Sequence, residues 1–260
     1  MSKHIITEKK LKALIKENVR TILCEFMQDG FSFEKMDSIN PNERMEYCKQ
    51  YLGEPITEPG SSRCVFEIDD SQVLKIAYGR KFDAGCKQNN VEYNMNRKFN
   101  TPILVKTLYH ANDYSWIISE KVIPCKQIDF YKILGLPYIP YTSEKSEEDS
   151  YNMEHKDLLD YNDYKTEKIN DNDRSIGFTQ VKQVMKQLIK GYVKPTDFPT
   201  EYKIITTNPW FKDLYTLATE HDLDLDDVSL ANMGITLRNG KPTIVLLDTG
   251  LTNEVWNNYY

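Results

Sequence analysis

Apolar residues recur along this chain with two distinct periods, and the change from one to the other divides it. Leu11, Leu14, Ile15, Val19, Ile22, Leu23, Phe26 and Met27 keep three-and-four spacing, which predicts an amphipathic helix over residues 7–27, stopped by Asp29-Gly30. A second helix is predicted from Asn40, with Asn40 as cap, Pro41 at the first helical position and Glu43 completing a capping box. It runs to Tyr51 or Leu52 and ends at Gly53. From Glu54 short alternating runs take over. Strands are predicted at 55–57, 63–68 and 72–77, separated by Pro59-Gly60-Ser61-Ser62 and Asp69-Asp70-Ser71. A helix over 84–99, with Val91, Met95 and Phe99 on one face, leads to two further strands at 103–109 and 114–119.

Helical spacing returns at 179–192 (Val181, Val184, Met185, Leu188, Ile189) and from Asn208 to His221 (Trp210, Phe211, Leu214, Leu217, Ala218). Between the two halves, residues 141–174 are acidic and rich in tyrosine, the pattern of a solvated insertion or mobile loop, with an interaction surface as the alternative. Near the end, Ile235-Thr236-Leu237 and 243–247 flank Asn239-Gly240, which predicts a β-hairpin with Asn-Gly at its tip.

Composition narrows the function classes. The chain has 260 residues, 40% hydrophobic and 12% aromatic, enough for a folded core in one large domain or two small ones. Lys and Arg number 33 against 39 Asp and Glu, a net charge of −6, so non-specific nucleic-acid binding is not the expected business of the whole surface. The five cysteines include no C-x-x-C pair, and they read as reduced thiols of a cytosolic protein. No segment resembles a signal peptide or approaches the length of a membrane span, so the expectation is a cytoplasmic protein with no membrane partner.

Candidate chemistry gathers around the hairpin. Asp227 precedes Asn232 by five residues, and Asp248-Thr249-Gly250 follows the second strand. A hairpin brings its outer ends together, so Asn232 and Asp248 are expected at one site, with Asp227 on the loop just upstream. Three oxygen-bearing side chains suit a hard divalent cation such as Mg²⁺ and a hydroxyl to be deprotonated. The bland reading is ordinary turn chemistry. Lys75 lies among apolar neighbours in a predicted strand, where the bland reading points its ammonium to water. For Glu92 the bland reading is a solvated helical charge.

Taken together, the segments Gly60-Ser61-Ser62-Arg63, Val73-Leu74-Lys75-Ile76-Ala77, Gln88-Asn89-Asn90-Val91-Glu92 and the D-x-x-x-x-N, hairpin, D-x-G run of 227–250 form a resemblance. Their order is similar to that of the protein kinase and aminoglycoside-phosphotransferase superfamily, and in particular to small kinase-like proteins of bacteriophages, over roughly residues 54–250. The resemblance implies a two-lobed α+β fold: a five-stranded antiparallel sheet with one helix over 53–122, then a mainly helical, truncated lobe over 123–260 carrying the insertion at about 141–175. Residues 1–52 would be a helical extension.

By the same resemblance, ATP and Mg²⁺ are the implied cofactors. Lys75 would hold the phosphates and Glu92 would position it, with Gly60, Ser61 and Ser62 over the phosphates. Glu120 and Val122 would lie at a hinge against the adenine. Asp227 would orient or deprotonate the acceptor hydroxyl, and Asn232 and Asp248 would ligate the metal. The implied activity is phosphoryl transfer, to a protein hydroxyl ahead of a small molecule, with the helix at 7–27 available to a protein partner. The alternatives are a pseudokinase-like binding or virion-associated protein, and nucleotidyl transfer on the same fold.

Four departures stand against the resemblance. The phosphate loop has one glycine, Leu225 and Asp226 replace the usual His-Arg before Asp227, and Thr249 replaces an aromatic residue. Ten residues follow Gly250, where a protein kinase builds its peptide platform. The second departure also leaves the register open, with Asp226 as the other candidate base.

Overall fold

The alternating segments of the first half pair as antiparallel strands in a computed structural model that describes residues 30–57, 59–136 and 177–260. The predicted helix at 7–27 and the acidic stretch at 141–174 lie outside the described residues. Among the described residues the chain is α+β, with eight α-helices and two antiparallel sheets of four and three strands. It divides into two compact units, one of the described residues up to Cys125 together with Pro209–Tyr260, the other Lys126–Asn208.

The first unit opens with two short helices, α1 (Phe33–Ser38) and α2 (Arg44–Leu52). Ser32 caps α1, its hydroxyl accepting from the Lys35 N–H at 3.2 Å. The start of α2 falls later than the spacing predicts. Asn40 spends its side chain on the Asn42 N–H at 3.0 Å, closing a turn before the helix instead of capping it. Four strands follow: β1 (Arg63–Glu67), β2 (Gln72–Ala77), β3 (Thr107–His110) and β4 (Trp116–Glu120), in the spatial order β1-β2-β4-β3. Helix α3 (Phe82–Lys98) connects β2 to β3.

A period of two gives the sheet unlike faces. Cys64, Phe66, Leu74, Ile76, Trp116 and Ile118 point one way, into a core shared with Phe33, Met36, Tyr47 and Cys48 of α1 and α2. The Phe33 and Trp116 rings lie 4.4 Å apart. Arg63, Val65, Val73 and Lys75 have the other parity, with Val65 paired to Lys75, and all four line a cavity.

This sheet has four strands, not the five expected. Ile56 donates to Val65 O at 3.0 Å, but Pro55 and Pro59 have no N–H to extend a ladder, and 55–57 stay irregular. The strand predicted at 103–109 also begins later. Ile103, Leu104 and Val105 instead run beside the second sheet through a parallel bridge between Leu104 and Leu246.

That second sheet, in the same unit, has the order β5-β6-β7, from β5 (Ile123–Pro124), β6 (Met233–Arg238) and β7 (Lys241–Leu246). Asn239 and Gly240 take φ of 52° and 75°, the paired left-handed conformation that a two-residue hairpin loop requires. In the other unit, α4 (Gln127–Leu134), α5 (Phe178–Ile189) and α6 (Pro199–Thr207) pack through Phe130 and Phe178, and Gln180 donates to Glu201 at 2.6 Å. The first unit closes with α7 (Pro209–Glu220), which buries Trp210, Phe211, Leu214 and Leu217, and with α8 (Asn253–Tyr259), capped by Thr252. No helix among the described residues is long and apolar enough to cross a membrane.

Candidate functional site

The cavity lies within the first unit and has a volume of about 710 Å³, in the range of small-molecule sites. Val65, Val73, Val105 and Leu247 supply apolar walls, and Arg63, Lys75, Asp227, Asn232 and Asp248 supply charge and hydrogen-bonding groups.

Lys75 does not reach for water. Its side chain is 8% exposed, and Nζ donates to Glu92 Oε1 at 2.6 Å and to the Leu247 carbonyl. Leu247 O belongs to the chain entering Asp248, so one ammonium ties β2 to α3 and to the end of the hairpin. Glu92 is equally buried, on an α3 face that also carries Ala84, Gly85, Gln88, Asn89 and Met95. The spacing of Val91, Met95 and Phe99 predicts a different stripe. The inward face is largely polar because it looks onto charged groups, not into the core.

The second oxygen of Glu92 is taken as well. Arg63 Nη1 donates to Glu92 Oε2 at 2.9 Å and to Asn89 Oδ1 at 3.1 Å, while Nη2 donates to Asp248 Oδ1. Lys75, Glu92, Arg63 and Asp248 therefore form an alternating chain of charge. Sequence reasoning assigns Arg63 no role. The signal available for it is parity, since Arg63 stands two residues from Val65, the cross-strand partner of Lys75. Burial opposes the charge of both Arg63 and Asp248. Asp248 and then Glu92 nonetheless hold the guanidinium more strongly protonated than usual. Arg63 and then Lys75 bring the Asp248 carboxyl below the usual carboxylate range.

Asn232 and Asp227 meet as the motif spacing predicts. Asn232 Nδ2 donates to the Asp227 carbonyl at 2.9 Å and to its carboxylate at 3.4 Å, which turns the amide oxygen away from Asp227. Leu247 N–H donates to Asn232 O at 2.9 Å, joining the outer ends of the hairpin. Asp227 lines the cavity, whereas Asp226, the other candidate, is exposed and off its lining. Gly250 is demanded by packing, because a Cβ there would sit 2.4 Å from Gln88 O on the α3 backbone.

The loop over the cavity is tied inward. Gly60 N–H donates to Arg63 O at 2.9 Å, and the Tyr78 hydroxyl donates to Gly60 O at 2.7 Å. Ser61 is exposed, but Ser62 is buried, its hydroxyl 2.5 Å from the Tyr260 hydroxyl, which also accepts from Gln88 Nε2 at 2.8 Å. Tyr260 follows α8, an element absent from the sequence-based prediction, and it stacks on Trp256 at the cavity wall. Glu120 and Val122 line the cavity too. The N–H groups of Glu120 and Lys121 already donate to Lys106 O and Ser71 O, and the Glu120 carboxylate pairs with Arg238.

The donor set suits Mg²⁺ better than a softer metal. Asn232 and Asp248 bring oxygen ligands to the cavity, and Asp248 is 36% exposed at its side chain. Among the described residues no group of three or more His, Cys, Asp or Glu side chains is placed to hold a metal ion. Mg²⁺ commonly takes one or two protein oxygens and completes its shell with water and phosphate. The residues present fit that habit. No protein-family model matches the chain, and no curated protein matches it significantly.

Proposed function

We propose that this chain is an ATP- and Mg²⁺-dependent phosphotransferase of the protein-kinase-like fold, acting on a hydroxyl acceptor. The observation that carries the reading is the buried Lys75–Glu92 pair whose ammonium also grips the Leu247 carbonyl, one residue before Asp248. A structural ion pair is a weak reason to bury so much charge. Taking these groups out of water costs several kcal/mol, of order 3–5 if one partner is lost, and such groups cluster where charge must be handled.

In this reading Lys75, held at a set position by Glu92, meets phosphate oxygens at the deep end of the cavity. The apolar walls at Val65, Val73 and Val105 take the planar base. Asp227 receives or orients the acceptor proton, and Asn232 and Asp248 would hold the metal. Bound Mg²⁺ supplies charge neutralisation at the phosphates. The remaining barrier is lowered by positioning and by fixed positive charge.

A pseudokinase-like binding role is the second reading, favoured by one feature. Arg63 already gives Asp248 a cationic partner, so that carboxylate is neutralised without a metal. Incubation with Mg²⁺ and ATP labelled at the γ or the α position separates the readings. Transfer from γ that disappears in Asp248→Ala supports the phosphotransferase, and transfer from α supports nucleotidylation. Thermal stabilisation by nucleotide without transfer supports the binding module, and no stabilisation at saturating ATP contradicts every nucleotide reading.

A further inference from the structure

We propose that Arg63 is an internal counter-cation that exchanges partners on ligand binding: it holds Asp248 until Asp248 takes a divalent cation, and then turns its guanidinium to the phosphates. The proposal rests on the nucleotide reading above and adds a residue and a binding step to it.

Three observations carry it. Arg63 is buried at 7% exposure and lines the cavity, so its guanidinium sits where a ligand enters and not on the outer surface. Its contacts are unequal. Glu92, 3% exposed, and Asn89 hold Nη1, whereas Nη2 is given to Asp248, the half-open carboxylate of the chain. The head can therefore pivot on Nη1 and exchange the partner of Nη2. Third, the charges of the buried cluster balance. Two cations, Lys75 and Arg63, face two carboxylates, Glu92 and Asp248, while Lys121 and Glu120 on the lining are paired elsewhere, with Glu67 at 2.8 Å and with Arg238.

A metal brought to Asp248 and a guanidinium bonded to the same carboxylate repel each other, so the two compete. Once displaced, the guanidinium lies between Lys75 and the Gly60–Arg63 turn, where an anion meets its planar pair of donors. The exchange lets the Lys75–Glu92–Arg63–Asp248 cluster remain neutral when empty and become cationic toward phosphate when loaded.

The test uses the full chain and two probes: Mn²⁺ alone, followed by electron paramagnetic resonance, and ADP, in excess EDTA and after saturation with Mn²⁺, followed by calorimetry. In Arg63→Met, Mn²⁺ is expected to bind about tenfold more tightly, and ADP added after saturation with Mn²⁺ about tenfold more weakly, the size of one charge-assisted hydrogen bond. Arg63→Lys, which keeps the charge without the planar pair of donors, is expected to restore only part of that ADP affinity.

Because Arg63→Met disturbs buried charges, Asp248→Asn provides a second route. It releases the guanidinium, so metal-free ADP is expected to bind more tightly, and this gain is expected to vanish in the double variant with Arg63→Met. A purely structural Arg63 predicts unchanged Mn²⁺ affinity in Arg63→Met and the same gain in both backgrounds, and either result overturns the proposal. Wild-type protein that binds ADP neither with nor without metal overturns the nucleotide reading as well. ADP binding that ignores Arg63 overturns the partner exchange alone.

Discussion

Glu92 satisfies two cations with one carboxylate, Lys75 at Oε1 and Arg63 at Oε2, inside a side chain that is 3% exposed. Replacing it by Gln keeps the shape and removes the charge both cations need. Glu92→Gln is expected to lower the free energy of unfolding by about 3 kcal/mol, as breaking a buried pair does, and a urea titration measures it. A loss under about 1 kcal/mol would mean that the pair behaves as if exposed. Cysteine chemistry gives a second check at this scale. Burial pushes the thiols of Cys48 and Cys64 up to about 12 and about 11, and the residues are 0% and 1% exposed. Both are expected to resist a thiol-titrating disulfide reagent at pH 8 and to react on unfolding. The described cysteines form no disulfide, in keeping with their scattered spacing.

The reach of the sequence also differs by residue. Lys75 and Glu92 are legible because motif order singles them out from residues whose local environment looks ordinary. Arg63 is not, because an arginine beside a turn reads as exposed until the strand pairing reveals which face it shares. Ser62 is legible in part. The resemblance puts its hydroxyl over the phosphates, and it does line the cavity, but its partner there, Tyr260, stands some two hundred positions along the chain and leaves no local trace.

At the scale of elements, β2 and the Asn239-Gly240 hairpin follow directly from alternation and turn chemistry, since their pairing partners lie close in sequence. Residues 103–105 do not. Their apolar run is as strand-like as any, but its partner is Leu246, and a non-local pairing of that kind leaves no local trace. Helices α1 and α8, at six and seven residues, are too short for a helical period to show, and each depends on a capping hydroxyl, Ser32 or Thr252. The seam between α3 and the Asp248–Gly250 end of the hairpin offers a test. Gly250→Ala would drive a Cβ to within 2.4 Å of Gln88 O, a backbone atom that cannot swing aside. It is expected to cost about 1–3 kcal/mol by overpacking. Gly60→Ala, whose nearest neighbour would be Arg63 O at 3.2 Å, is expected to cost less. Equal denaturation midpoints for Gly250→Ala and wild type would contradict this packing.

For the whole molecule, the sequence conveys an α+β chain with a sheet, a long helix and an Asn-Gly hairpin, and of the second unit's helices it conveys α5 alone, as periodicity, while α4 and α6 escape it. The four-stranded sheet and the hairpin share one unit although β5 and β6 are separated by more than a hundred residues, a closure that no local pattern encodes. Charge at the cavity makes stability depend on pH with a definite sign. The folded state depresses the Asp248 pKa, with Arg63 and Lys75 outweighing burial. Its contribution is therefore complete above the ordinary carboxylate value of about 3.9 and is lost as pH falls through the folded value below it. The gap in melting temperature between wild type and Asp248→Asn is expected to narrow from pH 6 to pH 3; an unchanged or widening gap contradicts that coupling.

Calorimetric titration of ATP with Mg²⁺ into the wild-type chain and into Lys75→Met and Asp248→Asn tests the central claim most directly, because those two residues come from opposite halves of the sequence. The account predicts saturable binding by the wild type and a loss of about tenfold or more in each variant. No binding by the wild type, or binding that neither substitution weakens, would contradict it.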